Sequence, residues 1–403
     1  MFRNFLYVTV ILITTMQACK QKPEILGTWR ATLSMQNQTL PFTFTVYTQG
    51  ENLQAQVHNG SENITLTEVF WREDTLVMQL HIFDAALEAT VEGNTMTGNF
   101  VRYYDGANPI AFRAEKSVTY RFAPESKEAD EDFSGKFAVT FTNETDTTEA
   151  VGIFEQKGNI VTGTFLTTTG DYRYLEGNVV NKKLHLSAFD GNHAFLFTAT
   201  KKGDTVEGHF YSGKSYHQNW VGVRNDKAEL PNAASLTYLK PGYETIAFSF
   251  PDTDSVLVSP QDEKYKNKVV VLQIFGTWCP NCMDETRFLS EWYKQNADRG
   301  VEILGLAFER KDNFQYAKER VLKMKEKLAV PYSFVIAGTN DKAKASQALP
   351  MLSKVLAFPT TIFIGKDGKV KKIHTGFSGP GTGIYYEQFK EEFNATINTL
   401  LAE

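Results

Sequence analysis

A chain of 403 residues is long enough for two or three domains with separate buried cores. Its 42% hydrophobic and 22% charged residues fit a globular protein, and 13% aromatic residues favour sheet-rich architecture. A net charge of −5 gives no general attraction to nucleic acid or anionic lipid, so nucleic acid is not expected as a partner.

The N-terminal stretch MFRNFLYVTVILITTMQACK has Arg3, an apolar run from Phe5 to about Thr14, and small or polar residues leading to Cys19. The run is shorter than the ~20 residues of a membrane span and reads as a secretory signal over residues 1–18. Met16-Gln17-Ala18-Cys19 resembles a bacterial lipoprotein processing site, departing from it at Gln17 and Met16. The resemblance implies acylation of Cys19, a lipid-anchored tether over residues 19–24, and a periplasm-facing lipoprotein of the cell envelope. Each buried methylene contributes about 0.8 kcal/mol, so two or three acyl chains would anchor it stably. A plain signal peptide leaving Cys19 as a free thiol is the alternative.

From Ile25 to about Arg224 short alternating runs rich in Thr, Val, Phe and Tyr are broken by Gly, Asn and Asp turns, which predicts strands throughout. The region is internally repeated. Gly27 answers Gly135 (135 − 27 = 108), Gly50 answers Gly158 (158 − 50 = 108), Phe83 answers Phe189 (189 − 83 = 106) and Gly98 answers Gly208 (208 − 98 = 110). Four ordered matches at near-constant offset predict two copies of a small β-sandwich or barrel, over residues 25–125 and 130–225. His81, His185, His193 and His209 read as isolated strand or turn histidines in preference to a metal cluster. The pairs Phe83-Asp84 and Phe189-Asp190 read as strand-to-turn signals. The region is expected to be a scaffold or partner-docking module.

Residues 226–240 form a hydrophilic linker, after which strands and helices alternate over residues 241–403. KVVVLQIF is a buried central strand, followed by a helix that starts at the cysteines and aligns Phe288, Leu289, Trp292 and Tyr293 on one face. VEILGLAF is a second strand, and Asp312 is expected to cap a helix with Phe314, Ala317, Val321, Met324 and Leu328 inward. The basic residues of KERVLKMKEKL on that helix read as a solvated face. YSFVIAG is a third strand, FPTTIFIGKDGKVKKIHTG a β-hairpin, and the C-terminal helix points Phe389, Phe393, Ile397 and Leu400 inward.

Cys19, Cys279 and Cys282 are the only cysteines, which excludes a four-thiolate zinc site within one chain. A mixed zinc site borrowing His and a structural disulfide across 279–282 stay open on the residues alone. Trp278-Cys279-Pro280-Asn281-Cys282 after a buried strand, with Phe358-Pro359-Thr360-Thr361 before a hairpin, resembles a thioredoxin fold, and specifically the TlpA/ResA-like extracytoplasmic thiol-disulfide oxidoreductases. The resemblance covers roughly residues 240–403. It implies disulfide reduction by thiol exchange with no bound cofactor, a protein or small-molecule disulfide as substrate, and an upstream membrane electron donor.

Cys279 at a helix N-terminus is the expected nucleophile, solvent-reachable and ionised more readily than an ordinary thiol; Cys282, one turn in, is the expected resolving thiol. A pKa lowered from about 8.5 to about 7 would raise the thiolate fraction at pH 7 from about 3% to about 50%. Intrinsic nucleophilicity would fall about five-fold, so the larger gain is a better leaving group on resolution. The resemblance makes Pro359 a cis-proline and places Trp278, Pro280, Phe358 and Thr360 beside the substrate. Thioredoxins proper often carry an Asp where this chain has Gln273, so Glu285 is the candidate proton acceptor, or else a first-turn acid favoured by the helix dipole. Three other classes compete: a peroxidase, whose lone-Cys motif is lacking; a copper-delivery protein using Cys279, Cys282 and His374; and a partner-binding lipoprotein with an accessory redox domain.

Overall fold

The computed structural model describes residues 22–106 and 108–403; the expected signal segment and Cys19 lie outside the described residues. The first repeat comprises β1 (Gly27–Met35), β2 (Gln38–Gln49), β3 (Asn52–Asn59), β4 (Glu62–Leu66), β5 (Val69–Arg72), β6 (Thr75–Gln79), β7 (Ala85–Glu92), β8 (Thr95–Arg102) and β9 (Ile110–Lys116). Its sheet runs in the order β4-β3-β2-β1-β9-β8-β7-β6-β5, an antiparallel barrel with one seam between β4 and β5. The second repeat comprises β10 (Gly135–Thr142), β11 (Thr147–Lys157), β12 (Ile160–Thr167), β13 (Gly170–Asp171), β14 (Leu175–Val180), β15 (Lys183–Phe189), β16 (Ala194–Lys202), β17 (Thr205–Ser212) and β18 (Tyr216–Arg224). Here β11 pairs β12, β12 pairs β14 and β18 pairs β10, so the ring of hydrogen bonds closes. The duplicated unit is therefore a barrel and not a sandwich.

Alternation along each strand fills the two interiors with aromatic rings: Trp29, Phe42, Phe44 and Phe112 in the first, Phe141, Phe165, Phe197 and Trp220 in the second. The repeat reaches to backbone detail. A Cβ on Gly98 would sit 1.9 Å from the Glu88 carbonyl oxygen, and one on Gly208 would sit 2.0 Å from that of Thr198. Only glycine permits the neighbouring strand to approach that closely at this point of each copy.

The barrels share one buried seam. Asn59, fully buried on the first, pairs its side-chain amide with the backbone of Phe189 on the second: Nδ2 donates to the carbonyl at 3.0 Å and Oδ1 accepts from the N–H at 3.1 Å. The Phe189 ring stacks on Phe42 at 4.4 Å and meets Phe100 edge-on at 5.1 Å. Arg121, in the segment joining the barrels, donates to Pro41 and to Ser187 and ion-pairs with Glu176 at 3.0 Å. A buried guanidinium thus satisfies carbonyls from both copies, which an apolar side chain would leave unpaired.

The C-terminal domain opens with a minimal hairpin, β19 (Phe250–Pro251) and β20 (Leu257–Val258). Then follow β21 (Val269–Phe275), α1 (Pro280–Asn296), β22 (Val301–Glu309), α2 (Phe314–Lys327), β23 (Ser333–Thr339), α3 (Lys342–Ala348), β24 (Thr360–Ile364), β25 (Val370–Thr375) and α4 (Ile384–Ala402). The sheet order is β23-β22-β21-β24-β25, with β21, β22 and β23 parallel and β24 and β25 antiparallel. Every residue of β21 is buried, as its unbroken apolar run requires for a strand covered on both faces. This is a thioredoxin-like α/β domain following an all-β region.

Two expectations are corrected. The cap of α2 is Asn313 and not Asp312: Asn313 is the last extended residue, and its Oδ1 accepts from the Tyr316 N–H at 2.8 Å. The basic residues of α2 are not simply solvated. Arg320, Lys323 and Lys327 follow one stripe of the helix and ion-pair with the first barrel, Arg320 with Asp84 at 3.6 Å and the two lysines with Glu68 at 2.8 and 3.2 Å. The Phe83-Asp84 turn is thus also a docking element, since Tyr316 Oη donates to Asp84 at 3.2 Å.

All three units meet at Arg173. This buried side chain ion-pairs with Glu62 of the first barrel, Asp190 of the second (3.6 Å) and Asp284 of α1. Burial works against its charge, but Asp284, Glu62 and Asp190 outweigh that and raise its pKa well above the ordinary value. Burial raises the Glu62 carboxyl despite Arg173, whereas His193 and Arg173 overcome burial and lower Asp190. Removing one partner of a buried ion pair costs on the order of 3–5 kcal/mol, because the remaining charges are stranded. Arg173→Met is expected to lower stability by about that amount and to split the calorimetric melt into more than one transition; one unshifted transition would contradict the hub's role.

Candidate active site

β21 ends at Phe275, the chain turns through Gly276 and Thr277, and α1 begins at Pro280, so the sheet's centre delivers the two cysteines to a helix N-terminus. Cys279 is the N-cap residue: its sulfur accepts from the Cys282 N–H at 3.2 Å and lies 3.4 Å from the Phe358 carbonyl oxygen. Both cysteines are free thiols. Cys282 is fully buried, and burial followed by its hydrogen bond with Cys279 pushes its thiol well above the ordinary range. The Phe358–Pro359 peptide bond is cis.

Cys279 is only 6% exposed, which corrects the expectation of a freely solvent-reachable sulfur. The start of α1 and the Phe358 carbonyl enclose it, and the second barrel reaches the adjoining surface. Asn281 Nδ2 donates to the Asp171 carbonyl at 3.1 Å, and Asp171 Oδ2 accepts from the Gly379 N–H at 2.7 Å. Gly170, with φ +146°, lies so close that a Cβ there would meet Asn281 Nδ2 at 2.2 Å. Burial pushes the Asp171 carboxyl up to about 6 even though it accepts from the backbone N–H groups of Gly379 and Arg173.

The residues expected beside the substrate divide. Trp278 is half-buried, donates its Nε1–H to the Phe308 carbonyl at 2.8 Å and meets the Phe358 ring edge-on at 5.5 Å. Pro280, Phe358 and Pro359 are buried around the dithiol. Thr360 is turned inward, its hydroxyl donating to the Ala357 carbonyl at 2.9 Å, so its side chain is not presented to a substrate.

Glu285 lies beyond the first turn of α1 and is fully buried, which removes the reading as an exposed first-turn acid. Gln273 Nε2 donates to it at 2.8 Å and Thr361 Oγ1 at 2.5 Å, so it bridges β21, α1 and β24 beneath the dithiol. Burial raises its carboxyl to about 7 against those two hydrogen bonds. Gln273 also touches the Cys282 carbonyl at 3.5 Å and accepts from the Tyr332 hydroxyl at 3.3 Å.

A second buried acid was not anticipated. Glu309, at the end of β22, accepts from the Thr277 N–H at 2.8 Å and hydroxyl at 2.9 Å, and burial likewise pushes it up to about 7. The parallel register Phe275↔Ala307 places Glu309 beside Thr277 two residues further on, a signal available once β21 and β22 are paired. His374 does not join the cysteines: it sits on β25 opposite Thr361, packs edge-on against Phe389 at 5.2 Å, and burial lowers it to about 4. Among the described residues no group of three or more His, Cys, Asp and Glu is placed to hold a metal ion.

A mixed five-stranded sheet, a Cys-x-x-Cys at the start of its first long helix and a cis-proline against the first sulfur define a thioredoxin-fold dithiol domain. Residues 240–387 match the family model described as Redoxin, and this part of the chain is a redoxin domain. The thiol-disulfide oxidoreductase ResA of Geobacillus thermodenitrificans is 35% identical over 112 residues, 28% of this chain and 57% of that protein. The ResA of Bacillus subtilis is 28% identical over 138 residues, 34% of this chain and 69% of that protein. The chain thus spans little more than half the length of the first of these relatives. A thiol:disulfide interchange protein of the thioredoxin family from Chlorobium tepidum aligns at 20% identity and a TM-score of 0.31, covering 39% of this chain and 95% of that one.

The Glu285 carboxyl carries a pH signature. Its folded pKa of about 7 lies above the ordinary 4.5, so its burial favours the fold below pH 4.5 and that contribution is lost as pH rises through 7. The difference corresponds to about 3 kcal/mol. Glu285→Gln is expected to gain stability over the parent by up to about this amount between pH 5 and pH 8.5, measured by urea unfolding of the dithiol form; a pH-independent difference would contradict the shifted ionisation.

Proposed function

We propose that this chain is an extracytoplasmic, membrane-anchored thiol-disulfide oxidoreductase that reduces disulfides through Cys279 and Cys282. The observation that carries the reading is the free dithiol at the α1 N-terminus, with Cys279 against the cis-Pro359 loop and Cys282 sealed behind it. The Cys279 thiolate attacks one sulfur of the substrate disulfide, forming a mixed disulfide and expelling the first thiolate. Cys282 then gives up its proton and attacks Cys279 Sγ, expelling the second. Two electrons pass from the dithiol to the substrate, two thiols leave, and a 279–282 disulfide remains for an upstream membrane electron donor to reduce.

Glu285 is the proton acceptor for Cys282 in this scheme. Its raised pKa suits it to exchange a proton near neutrality, and the amide of Gln273 orients it without competing for the proton. Trp278, Pro280, Phe358 and Pro359 form the wall against which the substrate's sulfur is presented. The names of the ResA relatives support the activity, and the sequence before Cys19 supports the anchor and a periplasm-facing position.

Cys282→Ser should accumulate mixed disulfides through Cys279 that vanish on adding Cys279→Ser, read by non-reducing electrophoresis, and either variant should lose about 100-fold or more of disulfide-reductase rate. A Cys282→Ser protein that captures nothing and retains full rate contradicts the mechanism. Cys19→Ser should move the protein from the membrane fraction to the soluble one; unchanged retention would remove the lipid anchor.

A further inference from the structure

Where the two barrels and the redoxin domain meet, a cavity of about 340 Å³ is lined by residues of all three. Its charged lining is lopsided: Arg102, Lys214 and Arg310 face one carboxylate, Asp105, which Arg102 already engages at 3.3 Å. Arg310 has no carboxylate partner among the described residues. Its Nη2 donates to Asn192 Oδ1 at 3.2 Å, and its buried Nε has no acceptor. Its guanidinium lies over the Tyr104 ring at 4.0 Å and the Trp278 ring at 5.2 Å.

Two aromatic rings therefore hold a guanidinium that lines the cavity and has no ion-pair partner among the described residues. Arg310 directly follows Glu309, which grips Thr277, so one strand end positions both the turn before Cys279 and this cation. Tyr104, Asn192 and Arg310 also border the small recess that contains Trp278, so the cavity adjoins the residue next to Cys279.

We infer that this cavity is a subsite for the carboxylate of a low-molecular-weight thiol or disulfide, held by Arg310 and Lys214 while its sulfur reaches Cys279. Planar, forked donors suit a carboxylate, and the volume fits a ligand of amino-acid to small-peptide size. The inference deepens the redox reading by naming a substrate class, but binding itself does not require turnover.

The test uses the chain and three disulfides of one size range: oxidised glutathione (anionic), bis(2-hydroxyethyl) disulfide (neutral) and cystamine (cationic). With the chain pre-reduced to its dithiol, the anionic substrate should show the highest second-order rate constant for oxidation of Cys279 and Cys282. Arg310→Gln and Lys214→Met should each lower the anionic-to-neutral ratio by about ten-fold, and rising salt should narrow the same gap. Equal ratios in parent and variants overturn the inference. S-Methylglutathione, which cannot exchange, supplies the independent arm: calorimetric binding that Lys214→Met weakens about ten-fold supports the site, and binding that is absent or indifferent to Lys214 overturns it. If S-methylglutathione binds in this way but none of the disulfides is reduced, the redox reading falls and the cavity assignment stands. A linear peptide with an internal Glu beside a blocked Cys, binding as tightly as S-methylglutathione, would assign the carboxylate to a polypeptide and overturn the small-molecule assignment.

Discussion

The organisation of this molecule depends on one buried guanidinium. Arg173 stands on the second barrel, yet its charge is matched by Glu62 on the first and Asp284 on the helix that carries the dithiol. Taking such a charge out of water is tolerable only while its partners stay in place. The three units consequently hold one arrangement around it, and the apolar seam at Phe189 and the ion pairs of α2 add to an orientation the hub defines. Asp284 lies two residues beyond Cys282, so the hub grips the redox helix itself.

Two buried acids brace the elements that meet at the dithiol. Glu285 lies under the helix and is tied to Gln273 and Thr361, while Glu309 lies under the turn and is tied to Thr277. Burial raises both to about 7. Glu309 has a backbone N–H and a hydroxyl as its donors, which suits positioning of the turn. Glu285 is joined through the Gln273 amide to the backbone of Cys282, which suits proton exchange in the proposed cycle.

Much of this architecture is legible in the chain because it rests on local rules. The buried run of β21, the spacing of α2 and α4, the Lys366-Asp367-Gly368-Lys369 turn and the paired glycines 108 to 110 residues apart each follow from periodicity or from one residue's backbone freedom. Barrel closure was not legible, since sandwich and barrel share the same alternation and differ only in which distant strands pair. The docking surfaces were missed for a related reason. Phe83-Asp84, Phe189-Asp190 and the lysines of α2 have the composition of turns and wet faces, and become contacts only when another unit presents a complementary charge or ring. Of the site, the two thiols and Pro359 were visible as a pattern, whereas Glu309, Arg173 and Arg310 owe their importance to neighbours more than a hundred residues away or to a paired strand.

The short strand at Gly170–Asp171 has a consequence for traffic. It is pressed against Asn281, which lies between the two cysteines, and against Gly379, and its glycine leaves no slack for a side chain. A visiting molecule finds that flank already occupied by the protein's own backbone. The direction from which the first sulfur can be approached is then narrowed by the barrel's shape, so the β region forms part of the entrance to the dithiol.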